Sequence, residues 1–368
     1  MTFGPKFKGR RAEIDNFLLD HIQLRRAQEA VTFTIMTTFN SAEHEKLYNL
    51  ILLAHERIKD HVHRTPIETT FTHPNLFLKC ECDQLTGSFK LRGSFAKLTL
   101  GSTKAITTAS TGNHALAMTY ALNKLGELDI DATIFVPENC SPYKLKKLKS
   151  LKSPIKQFGF DAVEAEREAR RVAEVENKIY VSPYNDYDII SGQGTIGIEI
   201  FEQNPGVEYI FVPVGGGGLI AGIAAYAKAV KPSVKIVGCS PTNNACLDLS
   251  IKAKRILNEN EFPNLDTLSE GTAGGIDDDS ITFDLCGNGS QLVDEWNDVS
   301  EDEIEGGVKF VFHSTKKVIE GAAGVSMFCF LKREKELASK NCVVVLCGRN
   351  ISSTEFSRIT KETNNPNP

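Results

Sequence analysis

The sequence predicts an α/β protein with parallel sheets, on three observations. Between Lys104 and Pro183, short β-like runs alternate with helix-like ones, an order that implies a parallel sheet with helical crossovers. A second βα series follows: Tyr209 to Val214, a helical stretch from Leu219 to Val230, Lys235 to Cys239, and a late run from Cys342 to Leu346. Two strand-to-helix joins are small-residue turns, Ser110-Thr111-Gly112-Asn113-His114-Ala115 and Val214-Gly215-Gly216-Gly217-Gly218-Leu219.

Taken in order, residues 1–40 read as an extension, with apolar positions at helical spacing from Asp15 to Ala30 and an alternative start at Met36. From Glu43 to His61, Leu47, Leu50, Ile51, Ala54 and Ile58 recur at three- and four-residue steps, as on an amphipathic helix that Ser41 would cap. Thr65-Pro66 ends it. Leu76 to Lys79 reads as a strand feeding a turn, with a helix from Ser88 to Leu98 beyond. In the alternating region the strands are Ala105 to Ala109, Ala132 to Pro137, Ile155 to Gly159 and Ile179 to Ser182. The helices between them are Asn113 to Leu125, Tyr143 to Leu151 and Ala162 to Glu176. Lys144, Lys146, Lys147, Lys149, Lys152 and Lys156 crowd this region and read as a solvated face, since no aromatic beyond Tyr143 interleaves to stack a base. Gly192-Gln193-Gly194-Thr195 opens a helix to Gln203, and the tail 361–368 is expected to fray.

Composition excludes several functions. Hydrophobic content of 41% and charged content of 24% belong to an ordinary globular chain, and a net charge of -5 makes no case for nucleic acid. No apolar run reaches the roughly eighteen residues of a membrane span. Glu13, Asp15 and Asp20 follow the basic start too closely for a transit peptide. The nine cysteines are odd in number and scattered through apolar segments, which predicts buried free thiols in a reducing, cytoplasmic compartment. Cys80 and Cys82 are too close for a C-x-x-C site, and no second pair matches them.

Chemistry gathers at three stretches. In Thr86-Gly87-Ser88-Phe89-Lys90-Leu91-Arg92-Gly93, a lysine stands between an aromatic and a small-residue turn. A surface lysine opening a helix would fit, but so would a desolvated amine able to shed its proton and form an imine. The turn at 110–115 offers hydroxyls, an amide and helix-opening N–H groups. Gly215 to Gly218, after an apolar strand and before a helix, would let backbone N–H groups converge on a phosphate. It lacks the G-x-G-x-x-G spacing of a dinucleotide site.

Together these stretches resemble the fold-type II pyridoxal-phosphate enzymes, in particular the threonine/serine dehydratase and serine racemase family, over residues 45–355. The likeness is most specific from Lys79-Cys80-Glu81 to Arg92-Gly93. It implies two open, twisted, mostly parallel sheets flanked by helices. A large domain (41–103 and 186–360) would hold pyridoxal 5'-phosphate, with a small domain (104–185) inserted in it. The resemblance assigns the internal imine to Lys90, the back of the ring to Phe89, the ring hydroxyl to Asn113 and the phosphate to Gly215, Gly216, Gly217 and Gly218. Ser110, Thr111, Asn113 and His114 would bind substrate, Thr111 on the face opposite Lys90. Cys347, in Cys347-Gly348-Arg349-Asn350, falls where many members place a serine at the pyridine nitrogen; a thiol there suits a neutral ring and β-elimination.

Two departures matter. Ser240 and Cys246 stand where several members have carboxylate ligands, so no divalent metal is expected. Thr111 replaces a racemase serine with a bulkier hydroxyl. The resemblance thus implies an L-threonine or L-serine ammonia-lyase acting on a small amino acid, as a homodimer or homotetramer without nucleic acid or membrane. Serine racemase is the alternative, as is a dehydratase of a larger substrate such as phenylserine, suggested by Pro183-Tyr184-Asn185-Asp186. A cofactor-binding protein without catalysis is the rival outside the enzymes. The biosynthetic dehydratases' regulatory domain has no counterpart, so isoleucine feedback is not expected.

Overall fold

The structure, a computed structural model, describes residues 41–140, 142–287 and 292–361. The expected extension, its Asp15–Ala30 helix, Met36 and residues 362–368 lie outside the described residues. Helix α1 (Ala42–Ile58) begins where Ser41 Oγ accepts the His44 N–H at 3.3 Å. From Lys46 onward the chain forms one compact unit.

Ten strands make two sheets among the described residues. The larger is ordered β1 (Ile67–Thr69), β2 (Leu76–Lys79), β10 (Cys342–Val345), β7 (Tyr209–Pro213), β8 (Lys235–Pro241), β9 (Glu295–Val299). All its pairings are parallel except β1 with β2, an antiparallel edge. The smaller is fully parallel, in the order β5 (Ile155–Gln157), β4 (Asp131–Val136), β3 (Ala105–Ala109), β6 (Ile179–Tyr180). Cys342-Val-Val-Val is a continuous apolar run because β10 is the centre of a sheet covered on both faces, and every residue of it is buried.

Each sheet has its own core, and helix α6 (Tyr187–Gln203) serves both: Ile189 packs into the smaller core, Ile190, Ile196 and Ile198 into the larger. The helix starts at Tyr187, not at Gly192 where the sequence pattern opens it. Asp186 opens the helix, its carboxylate accepting the N–H groups of Asp188 and Ile189 at 2.7 and 3.2 Å. The glycines lie inside because two other helices press on that face. A Cβ at Gly192 would stand 2.6 Å from Gly93 Cα on α2 (Lys90–Leu98), and one at Gly222, on α7 (Gly218–Val230), 2.4 Å from Ile190 O. The helix that starts with Lys90 and the helix that starts with the glycine loop are thus held against one rod.

Under α2 lies a cluster of buried charge. Arg92 donates Nε and Nη2 to the two Glu81 oxygens, both at 2.8 Å, and Nη1 to Glu199 Oε1 at 2.7 Å. Lys79 Nζ pairs with Glu199 at 2.6 Å and donates to Thr65 O at 2.7 Å. Two cations meet two carboxylates here, each with further hydrogen bonds, the condition for tolerating ions away from water.

The remaining elements are α3 (Asn113–Lys124), α4 (Pro142–Ser150), α5 (Ala162–Val175), α8 (Cys246–Ala253), α9 (Ile281–Cys286), α10 (Glu301–Thr315), α11 (Gly321–Leu331) and α12 (Ser353–Thr360). The last five, and strands β1 and β9, are not marked by the sequence pattern. All nine cysteines are free and buried. No helix among the described residues is long and apolar enough to cross a membrane.

Candidate active site

Lys90 is the first residue of α2. Its Nζ donates to Pro183 O at 2.7 Å and stands 5.2 Å from the centre of the Phe89 ring. Burial draws the ammonium pKa down to about 8, although Cys347 and Glu320 push the other way. An appreciable fraction of the amine is therefore neutral near pH 7, the state in which it can attack a carbonyl. The turn before it is tied to the end of the large sheet. Phe89 N–H donates to Cys347 O at 3.0 Å, Arg349 N–H to Gly87 O at 2.8 Å, and Ser88 bridges Gly348. Cys347 is buried beside this turn, and burial keeps its thiol protonated.

The glycine loop is confined on both sides. A Cβ at Gly215 would lie 2.8 Å from Thr272 Cα, and one at Gly216 2.4 Å from Tyr184 Cγ; Gly217 has φ +86°. The Thr282 hydroxyl fixes the loop by donating to Gly216 O at 2.6 Å. With α7 beginning at Gly218, its first N–H groups have no acceptor within the helix, which makes this a cradle for an anion.

The turn between β3 and α3 departs in part from expectation. Ser110 and Thr111 are half-buried, and Ser110 Oγ accepts the Gly112 N–H at 3.2 Å. His114, expected to line the substrate pocket, is buried with its Nε2 3.1 Å from Thr108 Oγ1, and burial, then nearby Lys90, lowers its pKa to about 3. Its ring is a neutral core group. What His114 can offer a carboxylate is its backbone N–H in the first turn of α3.

Asn113 brings in a residue that sequence reasoning missed. Its Nδ2 donates to Glu320 Oε1 at 2.8 Å, and its Oδ1 accepts from Asn350 Nδ2 at 2.6 Å. Glu320 directly precedes α11, and its carboxyl, rather than capping that helix, also accepts the Asn350 N–H at 2.9 Å. Burial raises its pKa to about 7 against those two hydrogen bonds. The available signal was an acid immediately before the apolar run Gly321-Ala322-Ala323-Gly324.

The lysine-rich patch also needs correction. Lys144 and Lys147, one turn apart on α4, do not simply face solvent: Lys144 Nζ bonds Glu270 at 2.6 Å and half-buried Lys147 donates to Asn350 Oδ1 at 2.9 Å. As for metals, Ser240 is buried at the end of β8 and Cys246 starts α8. Among the described residues, the ligand atoms of Cys80, Cys82 and Asp83 lie within 4.8 Å of one another. Cysteine spacing alone does not show this grouping, whose third member is a carboxylate. Asp83 is at the same time paired with Lys317 at 2.7 Å.

A lysine with a neutral-prone amine, an aromatic beside it, and a glycine loop at a helix N-terminus, packed too closely for side chains, suit an aldehyde cofactor bearing a phosphate. Comparison with known proteins gives the class. Residues 58–348 match the family model described as pyridoxal-phosphate dependent enzyme. The chain is 35% identical to the serine racemase of Homo sapiens, over 85% of this chain and 94% of that one. It is 34% identical to the L-threonine ammonia-lyase of Thermotoga maritima, over 83% and 76%. Among solved structures, the processed form of threonine deaminase isoform 2 from Solanum lycopersicum superposes with TM-score 0.77 at 27% identity, covering 87% of this chain and 93% of that one. Maize serine racemase gives 0.74 at 28%, covering 84% and 95%. The chain belongs to the fold-type II pyridoxal-phosphate enzymes, in the family of threonine/serine dehydratases and racemases. Pyridoxal 5'-phosphate is its cofactor, and its activity is of the ammonia-lyase or racemase kind on small amino acids.

Proposed function

We propose that the protein is an L-threonine or L-serine ammonia-lyase, releasing a 2-oxo acid and ammonia. The observation that supports elimination over racemisation is the turn at 110–114. Racemisation needs a proton donor on the face opposite Lys90, within about 2.6–3.2 Å of the carbon. With the His114 ring neutral and its Nε2 against Thr108, the donor this reading assigns to that face is the hydroxyl of Thr111. Its methyl restricts the hydroxyl. Elimination needs no second-face donor.

In this reading Lys90 Nζ, Phe89, Asn113, Cys347 and the N–H groups of Gly215 to Gly218 hold the cofactor at its aldehyde, ring face, ring oxygen, ring nitrogen and phosphate. When bound, the cofactor supplies the sink for the electrons left on Cα when its proton departs. Lys90 would take that proton at Nζ. Backbone N–H groups at the start of α3, with the Ser110 and Thr111 hydroxyls, hold the substrate carboxylate, which the positive end of the helix favours. The bond of Lys90 Nζ to Pro183 O and that of Phe89 N–H to Cys347 O fix where the amine is presented.

The relatives named serine racemase keep racemisation as the second reading. A panel of β-hydroxy amino acids, phenylserine included, separates the two: 2-oxo acid should form much faster than D-enantiomer. Thr111→Ser should raise racemisation relative to elimination. D-serine as the main product would overturn the lyase reading.

A further inference from the structure

Helix α4 reaches across from the smaller sheet's side to residues of the larger sheet's side at two points. Lys144 and Lys147, three residues apart and so on one face, bond Glu270 and Asn350. Lys147 is the inner of the two. Burial lowers its pKa, with Glu320 acting to raise it and Arg349 to lower it, so the ammonium lies within electrostatic reach of the buried carboxyl beside Asn113.

The hydrogen-bonding repertoire of these groups gives the contact a direction. An ammonium only donates and a backbone carbonyl only accepts. Asn350 therefore turns its Oδ1 to Lys147 and its Nδ2 to Thr86 O, at 2.9 and 3.0 Å. That same Nδ2 donates to Asn113 Oδ1 at 2.6 Å, which leaves Asn113 Nδ2 as the donor end, bonded to Glu320 Oε1 at 2.8 Å. Lys147 and the Thr86 carbonyl set the Asn350 end of this chain of bonds, and the Glu320 carboxyl, accepting from Asn113 Nδ2, favours the same polarity from the other end. Without Lys147, the Asn350 Oδ1 loses its donor, and the amide is oriented by the Thr86 carbonyl and Asn113 Oδ1 alone. A reversed Asn350 would present oxygen to the Asn113 oxygen and set the Asn113 amide in competition between Asn350 and Glu320.

We infer that Lys147 is a positioning residue for the cofactor: through Asn350 it sets which end of the Asn113 amide faces the ring oxygen, so that the seating of α4 determines the polarity of that contact. This rests on the reading that Asn113 meets the ring oxygen. An N–H there stabilises the ionised ring oxygen, whereas a carbonyl oxygen repels it.

The test uses the holoenzyme and four variants: Lys147→Met, Lys147→Arg, the exposed neighbour Lys146→Met, and Asn113→Ala. The readouts are the ratio of the two absorption bands of the lysine-bound cofactor across pH, the affinity of the apoprotein for pyridoxal 5'-phosphate, and the split between kcat and KM. Lys147→Met should change the band ratio and its pH dependence and weaken cofactor affinity about fivefold, the loss of roughly one hydrogen bond. Lys147→Arg should restore most of both, and Lys146→Met should behave as the unmodified protein. Two results overturn the inference in distinguishable ways. If Asn113→Ala alters the spectrum and Lys147→Met does not, Lys147 is only a tether between elements. If Asn113→Ala leaves the spectrum unchanged, the placement of Asn113 at the ring oxygen fails and the inference falls with it.

Discussion

Lys90 and His114 lose charge for the same reason, burial, and with opposite uses. The Lys90 amine, with a pKa of about 8 against 10.5 for a free lysine, is still mostly protonated below neutrality. Uptake of pyridoxal 5'-phosphate by apoprotein should therefore accelerate about tenfold per pH unit up to pH 8 and level off above it. Borohydride reduction should then leave the label on the Phe89-Lys90 peptide, and a label on another lysine would remove Lys90 from the site. For His114 the folded pKa is about 3 and the ordinary value 6.5, so the unfolded chain binds a proton that the native state refuses. Its contribution is whole above pH 6.5 and shrinks as pH falls toward 3. The loss is on the order of 2 kcal/mol by pH 5. Denaturant titrations should show a smaller acid loss in His114→Gln than in the parent. At this scale the lysine was legible because its neighbours in sequence are its neighbours in space. Glu320 was not, since its meaning comes from Asn113, 207 positions away.

Between elements, the decisive contacts are those of α2 with α6 and with the turn after β2. The alternating pattern of strands and helices was readable because each run is bounded by its own turn. The true start of α6 was not, because mid-helix glycines resemble a boundary until the helices pressing on them are known. Nor did the stretch Lys79 to Arg92 reveal that its charges serve one another. Arg92→Met should cost about 3–5 kcal/mol, because Glu81 and Glu199 would be left buried without their shared cation. Cofactor occupancy should fall with stability, since α2 carries Lys90. A variant with unchanged denaturation midpoint would mean that the cluster contributes nothing to the hold on this helix.

For the molecule as a whole, the two sheets follow from chain order, but strands at the large sheet's edges escaped notice. Glu295-Trp-Asn-Asp-Val has no apolar run, as befits an outer strand with exposed positions, and Ile67-Glu-Thr is only three residues long. Ser240 is a buried hydroxyl at the end of β8 and Cys246 a buried thiol at the start of α8, neither of them the charged oxygen that Mg²⁺ or Ca²⁺ takes. Activity should accordingly survive a chelator, measured as 2-oxo acid formation before and after dialysis. Loss that only Mg²⁺ or Ca²⁺ reverses would contradict this.

The order of strands in the larger sheet bears on how the protein comes into being. Strand β10 is inserted between β2 and β7, with Cys342 aligned to Leu76 on one side and to Tyr209 on the other. A chain emerging from the ribosome makes β2, the lysine turn and the glycine loop long before the strand that joins them. Until residues 342–345 arrive, β2 and β7 each have an open edge and cannot pair through β10. Such long-range pairing is intrinsically slow and leaves apolar edges exposed meanwhile. A nascent chain stalled before Cys342 would accordingly lack the strand that sets the lysine turn beside the glycine loop's strand.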